Sequence, residues 1–245
     1  MTGMILAAGL GTRLRPLTNT VPKALVEVNG VPLLERVVQR VLAAGAERLV
    51  FNVSYLGEKV EDYIRERGGW GVKTAISWEP DGPLETGGGL KKAFLDDLFP
   101  DGDSVLVHNA DILTTIDLAA LVRAHEADAE EPYATLAVTP AASDRYLAFD
   151  EGGLLGYALE AKETHMREPL GEVTRYDFCG VHVVSPKMLE VLAAEDGEKF
   201  SVMDNYLRLS KERKYVAAFE NGHECLDVGT HERLAEAEKR FGDAL

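Results

Sequence analysis

A glycine-containing loop followed by basic side chains is the part of this sequence best suited to chemistry on an anion. Gly9 and Gly11 come directly after a short apolar run, and Arg13, Arg15 and Lys23 follow them. Backbone N–H groups in such a loop, with cations close behind, can hold a triphosphate. The same residue types also occur in surface loops whose cations are simply solvated. Residue types alone therefore leave both interpretations open.

Two common phosphate-binding motifs do not fit this loop. The dinucleotide fingerprint Gly-x-Gly-x-x-Gly needs a third glycine where this chain has Leu14. The P-loop pattern Gly-x-x-x-x-Gly-Lys-Ser/Thr does not occur in the sequence. The sequence therefore argues against a dinucleotide-dependent dehydrogenase and against a P-loop protein.

Two aspartates are candidates for holding a divalent cation. Asp111 and Asp227 each follow a predicted strand, so both are expected at the carboxyl edge of the sheet. Mg²⁺ prefers one or two carboxylates together with phosphate oxygens, and these two side chains would suffice. An aspartate after a strand is also common as a turn residue or helix cap. Position by itself leaves the metal and the capping interpretations open.

Alternating apolar patterns in the first half predict the elements that position these residues. Strands are predicted over residues 4–8, 49–53, 72–78 and 104–108. Helices are predicted between and after them, over residues 32–42, around 60–64, over 90–99 and over 118–125. Such alternation implies right-handed crossovers and a mostly parallel α/β sheet with helices on both faces. Ligands of such sheets bind beyond the carboxyl ends of the strands.

The second half of the chain has a different pattern. The run 150–153, Asp-Glu-Gly-Gly, lies between two apolar segments and predicts a hairpin. Further strands are predicted over residues 176–184, 215–219 and 224–228, and helices from 185, over 201–209 and over 230–241. We expect this half to form a smaller lobe over the open end of the sheet, where a second substrate would bind.

The composition restricts the class of partner and the compartment. The formal net charge is −15, from 41 acidic and 26 basic residues, so no broad basic surface for nucleic acid is expected. No apolar run approaches the ~20 residues that cross a bilayer, and no signal peptide is indicated. We expect a cytoplasmic protein that binds neither nucleic acid nor membrane.

The cysteines and histidines are not expected to carry chemistry. Cys179 and Cys225 are too few for a disulfide framework and fit a reducing compartment. Neither belongs to a Cys-x-x-Cys pair, and no histidine lies at metal-ligand spacing from a cysteine, so no zinc site is predicted. Cys179 is expected to be a small core residue rather than a nucleophile.

Four motifs give the sequence a specific resemblance to a known family. Residues 6–18, followed by Pro22 and Lys23, closely resemble the signature of the sugar-1-phosphate nucleotidyltransferases that make nucleotide sugars. Within the family, the sequence is most similar to uridylyltransferases, with guanylyltransferases next. The resemblance covers nearly the whole chain, because it continues in Pro83-Leu84-Glu85-Thr86-Gly87-Gly88-Gly89, Asn109-Ala110-Asp111 and Asp227-Val228-Gly229-Thr230.

The resemblance implies a fold, a reaction and a cofactor. The fold would be a Rossmann-like, glycosyltransferase-A-like domain over residues 1–245, with 1–130 mainly binding the nucleotide and 131–245 mainly binding the sugar phosphate. A sugar-1-phosphate would attack a nucleoside triphosphate and release pyrophosphate. Asp111 and Asp227 would hold Mg²⁺, Arg13 would hold the triphosphate, and Lys23 would lie near the α-phosphate. We expect a monomer or small homo-oligomer whose partners are these two substrates.

The resemblance also assigns catalytic and nucleotide-binding residues. Arg13, Lys23 and Asp111 would be catalytic. Glu85 would accept a hydrogen bond from the nucleobase, which suits uracil and guanine alike, and Thr86 is expected to cap the helix that follows. The full nucleotide-binding set would be Leu6, Ala7, Ala8, Gly9, Gly11, Thr12, Arg13, Lys23, Glu85, Thr86 and Gly87.

The sugar phosphate would be bound by residues from both halves. Glu160 and Lys162 fall where the family has a Glu-Lys-Pro motif, but here the run is Glu160-Ala161-Lys162-Glu163. Gly180 matches the backbone position that faces the sugar, since a glycine inside a strand suggests close approach by a ligand. The full set would be Asn109, Glu160, Lys162 and Gly180.

A second hypothesis is a regulatory homologue that keeps this fold without catalysis. Such a protein is expected to lose metal-binding or triphosphate-binding residues. Arg13, Lys23, Asp111 and Asp227 are all present here. The sequence therefore favours an enzyme.

Overall fold

The computed structural model describes residues 1–160 and 162–241 of the chain. Strands and helices alternate through the first half, and strands dominate the second. The described helices are α1 (Leu33–Ala43), α2 (Gly57–Glu66), α3 (Glu85–Leu95), α4 (Leu118–Ala127), α5 (Pro186–Ala193), α6 (Val202–Lys211) and α7 (His231–Arg240). The described strands are β1 (Thr2–Leu6), β2 (Glu27–Val28), β3 (Val31–Pro32), β4 (Arg48–Val53), β5 (Lys73–Trp78), β6 (Val105–Asn109), β7 (Ile112–Thr114), β8 (Ala134–Pro140), β9 (Tyr146–Asp150), β10 (Gly153–Leu159), β11 (Lys162–His165), β12 (Thr174–Val184), β13 (Val216–Phe219) and β14 (Cys225–Asp227).

Four strands of the first half form the parallel centre of the sheet, in the order β6-β1-β4-β5. The side chains of β1 and β4 are almost entirely buried, as expected for a parallel sheet covered on both faces. Successive side chains point to opposite faces. Ile5 and Phe51 therefore pack with α1, α2 and α4, whereas Met4 and Val50 pack with α3, α5 and α6. The predicted α/β fold with a mostly parallel central sheet is confirmed.

The ends of α1 follow from local sequence. Pro32 directly precedes the helix, where its missing N–H costs nothing. Gly45 follows the last turn with φ of +95°, a conformation that glycine adopts without strain. With eleven residues each, α1 and α3 are the longest described helices. No described helix is long and apolar enough to cross a membrane.

Most strands of the second half extend the same sheet, whereas β14 pairs with β7 in a separate two-stranded sheet. Strand β12 pairs antiparallel with β6 at one end and with β9 at the other. Strands β9, β10 and β11 then continue antiparallel to the edge. Strand β8, which the sequence analysis did not predict, is buried over residues 134–138 and pairs with β12 and β13. The second half thereby stands beside the carboxyl end of β6.

Helix α3 begins five residues earlier than predicted, at Glu85 rather than residue 90. Three glycines lie in its first turns, and glycine has a low helix propensity, which argues against a helix there. A Cβ on Gly87 would lie 2.4 Å from the Phe200 ring, and one on Gly88 would lie 2.0 Å from the Glu198 carbonyl oxygen. The glycines therefore let the helix pack against the segment 198–202, which outweighs their low helix propensity.

The predicted capping role of Thr86 is wrong. Thr86 lies inside the first turn of α3, and its hydroxyl oxygen accepts a hydrogen bond of 3.0 Å from the Val202 N–H. The residue therefore joins α3 to the start of α6 rather than capping its own helix. The N–H groups of Gly87 and Gly88 both donate to the Phe200 carbonyl, at 3.0 and 3.2 Å. These hydrogen bonds hold the first turn of α3 against the start of α6.

Three buried histidines make the fold sensitive to acid. Desolvation lowers the pKa of His108 and of His125 to about 4, and that of His182 to about 3. An unfolded histidine has a pKa near 6.5. Below that pH the unfolded chain binds protons that the folded chain does not, so stability falls as the pH drops from about 6.5 towards 4. For His108 alone the loss is on the order of 3 kcal/mol by pH 4.

We expect His182→Phe to flatten this pH dependence. The ring packs between Phe178 and Tyr206, at centroid distances of 5.5 and 5.8 Å, and neither ring nitrogen has a hydrogen-bond partner among the described residues. Phenylalanine keeps the packing and removes the proton-binding site. Urea unfolding at pH 7 and pH 5 should show the loss of stability reduced by about 2 kcal/mol. An unchanged difference between the two pH values would contradict this assignment.

Candidate active site

The two glycines of the loop after β1 have different structural roles. Gly11 has φ of +61°, and a Cβ there would lie 2.9 Å from Thr18 Cγ2. Its carbonyl also accepts a hydrogen bond of 2.7 Å from the Thr18 hydroxyl, which fixes the turn. Gly9 has no atom within 4 Å of the Cβ position and is exposed. Gly11 therefore shapes the loop, whereas Gly9 leaves open space above it.

A first cavity of about 170 Å³ opens beside this loop at the carboxyl ends of β1 and β6. It brings together most of the predicted nucleotide-binding residues, namely Leu6, Ala7, Ala8, Gly9, Lys23, Glu85 and Thr86. Asn109 and Asp111 also line it. Gly11, Thr12 and Arg13 lie further along the loop, and Gly87 faces Phe200 instead. The absence of a side chain at Gly87 is thus explained by helix packing.

Two buried polar residues behind this cavity were missed by the sequence analysis. Asn52 Oδ1 accepts a hydrogen bond of 2.8 Å from the Ala7 N–H, and Asn52 Nδ2 donates to Glu79 Oε1, also at 2.8 Å. Glu79 Oε2 accepts from the Leu84 N–H at 2.8 Å. A Cβ on Gly89 would lie 2.8 Å from Asn52 Nδ2, so only glycine fits there. The network therefore joins the end of β1 to the segment that leads into α3.

Glu79 is a carboxyl group held inside the cavity wall. It is 1% exposed, and its burial raises the pKa although the Leu84 and Asn52 hydrogen bonds oppose the shift. Both oxygens are already used by protein donors. The signal that could have found the pair is the placement of Asn52 and Glu79 at the carboxyl ends of two apolar strands, β4 and β5, where parallel sheets bind ligands.

The two predicted metal ligands come together on neighbouring strands. Asp227 ends β14 opposite Ile112 of β7, and the Val228 N–H donates to the Asp111 carbonyl at 2.8 Å. Lys23 forms an ion pair with Asp111, and its Nζ lies 3.8 Å from Asp227 Oδ1. The pairing of β7 with β14 therefore brings two carboxylates, far apart in the sequence, to one ammonium group.

Arg13 completes this cluster from the glycine loop. Its Nη2 lies 3.8 Å from Asp227 Oδ2, and both side chains are more than half exposed. A Cβ on Gly229 would lie 2.6 Å from Arg13 Nη2, so a side chain there would displace the arginine. The four residues that the sequence analysis assigned to metal and triphosphate therefore lie in one group.

The chemistry of this group fits a hard divalent cation. Two carboxylates already converge on one positive charge, the Lys23 ammonium. Mg²⁺ takes one or two carboxylates and completes its shell with water and phosphate oxygens. The capping interpretation of the aspartates is not supported, since the residue that caps α4 is Asp117, through the Ala120 N–H, and Thr230 caps α7.

A second cavity of about 1020 Å³ meets the first at Asn109 and Thr86. Strands β9, β10 and β12 form one side of it and α6 forms the other. Its charged residues were not predicted from the sequence, because they come from elements far apart in the chain. Its lining includes Arg145, Tyr157, Phe178, Asp204, Arg208 and Lys211.

The predicted sugar-phosphate residues divide into two groups. Asn109 lies between the cavities, and Gly180, with φ of +67°, packs against it, since a Cβ there would lie 2.8 Å from Asn109 Nδ2. Glu160 and Lys162 are exposed at the tip where β10 turns into β11, outside the described lining of both cavities. Asn109 and Gly180 therefore lie beside the other site residues, whereas Glu160 and Lys162 lie next to Leu159, which lines the second cavity. Ala161, between the other two, lies outside the described residues.

The match to a known family covers almost the whole chain. Residues 2–243 match the family model described as nucleotidyl transferase. The chain belongs to the nucleotidyl transferase family. The predicted α/β nucleotidyltransferase is thereby confirmed as an enzyme of this family.

Relatives of similar length share the sequence of this nucleotidyl transferase throughout. N-acetylmuramate alpha-1-phosphate uridylyltransferase of Caulobacter vibrioides is 34% identical over 243 residues, covering 98% of this chain and 97% of the relative. The protein of the same name from Neisseria meningitidis serogroup B is 33% identical over 242 residues, covering 99% of both. The predicted resemblance to uridylyltransferases is confirmed at the level of sequence.

Solved structures share the fold at lower identity. HddC from Yersinia pseudotuberculosis, complexed with GMP-PN, superimposes with a TM-score of 0.75 and 21% identity, over 98% of this chain and 99% of that chain. A UDP-glucose pyrophosphorylase complexed with UDP-glucose gives a TM-score of 0.75 and 17% identity, over 98% and 97%. At these identities the similarity establishes the architecture of the nucleotidyl transferase.

Proposed function

We propose that this nucleotidyl transferase joins UMP, from UTP, to N-acetylmuramate-1-phosphate and releases pyrophosphate, a reaction of peptidoglycan recycling. The observation that carries the proposal is the meeting of a small and a large cavity at Asn109, beside the cluster of Lys23, Asp111 and Asp227. The small cavity is lined by most of the predicted nucleotide-binding residues, and the large one has room for a bulky sugar. The choice of uridine and of this sugar is supported by the two full-length relatives.

The reaction needs positioning and charge neutralisation rather than a protein nucleophile. An oxygen of the sugar-1-phosphate forms a bond to the α-phosphorus of UTP, while the bond from that phosphorus to the bridging oxygen of pyrophosphate breaks. The attacking phosphate is already anionic, so no strong base is needed. Two phosphate groups brought together in a fixed geometry account for much of the rate.

The cations of the chain supply the electrostatic part. Arg13, with its planar fork of donors, binds the β- and γ-phosphates and stabilises the charge that develops on the leaving pyrophosphate. Lys23 acts as a point charge beside the α-phosphate. Asp111 and Asp227 would hold Mg²⁺, which supplies Lewis-acid stabilisation of the phosphate oxygens when bound.

Unpaired cations in the large cavity support an anionic sugar. Arg145 and Lys211 line it, and no side-chain partner for either is present among the described residues. N-acetylmuramate carries a lactyl carboxylate that a guanidinium or ammonium group would bind. Mannose-1-phosphate, the substrate under the competing guanylyltransferase hypothesis, has no such group. Arg145 and Lys211 therefore offer positive charge to the carboxylate of the muramate sugar, in a cavity that Asp177 and Asp204 also line.

We expect Arg145→Met and Lys211→Met to raise KM for N-acetylmuramate-1-phosphate about tenfold each, the equivalent of about 1.4 kcal/mol. KM for N-acetylglucosamine-1-phosphate, which lacks the carboxylate, should change much less. Arg208→Met is a matched control, since Arg208 lines the same cavity but already pairs with Glu195 and Glu212. Equal KM changes for both sugars in all three variants would argue against carboxylate recognition here.

We expect Gly9→Ala to weaken triphosphate binding without affecting folding. A Cβ at Gly9 meets no protein atom, so the free energy of unfolding should change by no more than about 0.5 kcal/mol. The same methyl group would enter the space above the loop and raise KM for the triphosphate about tenfold or more. Gly11→Ala is the contrasting variant, because its positive φ should cost about 1–2 kcal/mol of stability. An unchanged KM for the triphosphate in Gly9→Ala would mean that the nucleotide does not bind against this loop.

The proposed function is tested directly by pyrophosphate release. The purified chain is incubated with Mg²⁺, each common nucleoside triphosphate, and the 1-phosphates of N-acetylmuramate, N-acetylglucosamine, glucose and mannose. Release is expected to be fastest with UTP and N-acetylmuramate-1-phosphate, and to require both Mg²⁺ and a sugar phosphate. Fastest release with GTP and mannose-1-phosphate would overturn the substrate assignment. No release from any pair, with nucleotide binding retained, would favour the regulatory hypothesis.

A further inference from the structure

Two cysteines and a histidine come together behind the active site, in a cluster that the sequence analysis did not predict. Cys179 lies on β12, Cys225 on β14, and His223 in the turn that leads into β14. Their ligand atoms all lie within 4.8 Å of one another. Cys179 and His223 are buried, and Cys225 is half-buried. Spacing along the chain gave no sign of this group, because the fold brings β12 and β14 together.

The histidine is oriented as a ligand. The Asn221 side-chain oxygen lies 2.7 Å from His223 Nδ1, which makes Nδ1 the donor and leaves the lone pair of Nε2 free. Nε2 lies 3.5 Å from Cys179 Sγ. Histidines that bind metals commonly have the opposite ring nitrogen held by such a partner, which fixes the tautomer and the ring plane. The hydrogen bond between Asn221 and His223 therefore leaves the Nε2 lone pair available beside the two sulfur atoms.

We propose that Cys179, His223 and Cys225 bind Zn²⁺. Zinc–sulfur and zinc–nitrogen bonds in a tetrahedral site place a sulfur and a nitrogen ligand about 3.6 Å apart, and the observed separation of Cys179 Sγ and His223 Nε2 is 3.5 Å. Two thiolates and an imidazole are a donor set that selects zinc over magnesium. The fourth position is completed by water. The proposal departs from the sequence-based expectation of no zinc site, which grouping in the fold now calls into question.

The position of the site gives the ion a structural role. Cys225 lies on β14, two residues before Asp227, and its thiol donates to the Thr114 hydroxyl of β7 at 3.1 Å. Cys179 directly precedes Gly180, which packs against Asn109. A bound ion would therefore join β14 to β12 and hold together the strands that carry Asp227 and Gly180. The proposal goes beyond nucleotidyl transfer, and its test does not depend on that activity.

The test uses the full-length chain without a histidine tag, purified without chelators and kept reduced. Elemental analysis is expected to find one zinc per chain. Replacement by Co²⁺ should give the near-ultraviolet charge-transfer absorption of cobalt–thiolate bonds, which the carboxylates of Asp111 and Asp227 cannot produce. Asn221→Ala should weaken zinc binding roughly 10- to 100-fold. Cys225→Ser should lose the cobalt–thiolate absorption, whereas His165→Gln, at an exposed histidine, should keep it.

The outcomes separate a metal site from a pair of reactive thiols. Absence of the cobalt–thiolate absorption in the reduced, unaltered chain would overturn the proposal whether or not the variants fold. A Cys179–Cys225 disulfide that forms in air, with no zinc uptake after reduction, would also overturn it in favour of a redox pair. Stoichiometric zinc that survives Cys225→Ser would place the ion elsewhere.

Discussion

Asp111→Asn is expected to slow pyrophosphate release about a thousandfold, the equivalent of about 4 kcal/mol in the barrier. The amide keeps the shape of the side chain and removes the charge needed to hold a divalent cation. The triphosphate is itself anionic, so loss of a negative charge beside it should not weaken binding of UTP in the absence of metal. The rate of pyrophosphate release should therefore fall, whereas the dissociation constant of UTP measured without metal should not rise.

Asp117→Asn is the matched control for this experiment. Asp117 caps α4 by accepting a hydrogen bond of 2.8 Å from the Ala120 N–H, and asparagine serves equally well at that position. Its activity should equal that of the unaltered enzyme. If Asp111→Asn retained activity within tenfold of the unaltered enzyme, Asp111 would not hold the catalytic metal.

Lys23→Met is expected to lower the rate and to tighten metal binding at the same time. The Lys23 side chain is only 11% exposed and pairs with both Asp111 and Asp227, so its ammonium competes with a divalent cation for the two carboxylates. Methionine removes that competitor, and the nucleotide-free protein should bind Mn²⁺ or Mg²⁺ more tightly. Loss of a positive charge beside the α-phosphate should reduce kcat by about 100- to 1000-fold.

Titration with Mn²⁺, monitored by electron paramagnetic resonance, measures metal binding. The rate of pyrophosphate release measures the effect on catalysis separately. Lys92→Met is the control, because Lys92 forms an exposed pair with Asp96 on α3 that contributes little. Weaker metal binding in Lys23→Met would contradict the competition, and would mean that the lysine instead orients the carboxylates for the ion.

Local patterns were enough to predict the elements of the central sheet. The strands β1, β4 and β6 are short apolar runs because both faces are buried, and α1 shows helical spacing with Pro32 and Gly45 at its ends. Strand β8 was missed, although residues 134–138 are buried, since a short apolar run without clear turn signals does not separate strand from helix. Helix α3 was placed too late because its glycines serve packing against the segment 198–202.

The cluster of Arg13, Lys23, Asp111 and Asp227 was predictable because its residues belong to motifs of contiguous sequence. Arg13 and Lys23 follow one glycine loop, and Asp111 and Asp227 each follow a strand. The resemblance to a family supplied their roles, and the pairing of β7 with β14 then brought them together. Glu160 and Lys162 were assigned to the sugar phosphate from the position of a family motif. They are exposed at the turn between β10 and β11, next to Leu159, which lines the second cavity, and their role stays a prediction.

The sequence by itself thus determined the order of strands and helices, the glycine loop, the acidic residues at strand ends and the family. Only the tertiary structure decided that Asn52 and Glu79 support the first cavity, that Arg145 and Lys211 line the second, and that Cys179, His223 and Cys225 meet. Periodicity and turn chemistry are properties of neighbouring residues and can be found in a single chain. Contacts between strands that are distant in sequence depend on which edges pair and in which register, and a side chain acquires its partners only when that pairing is complete.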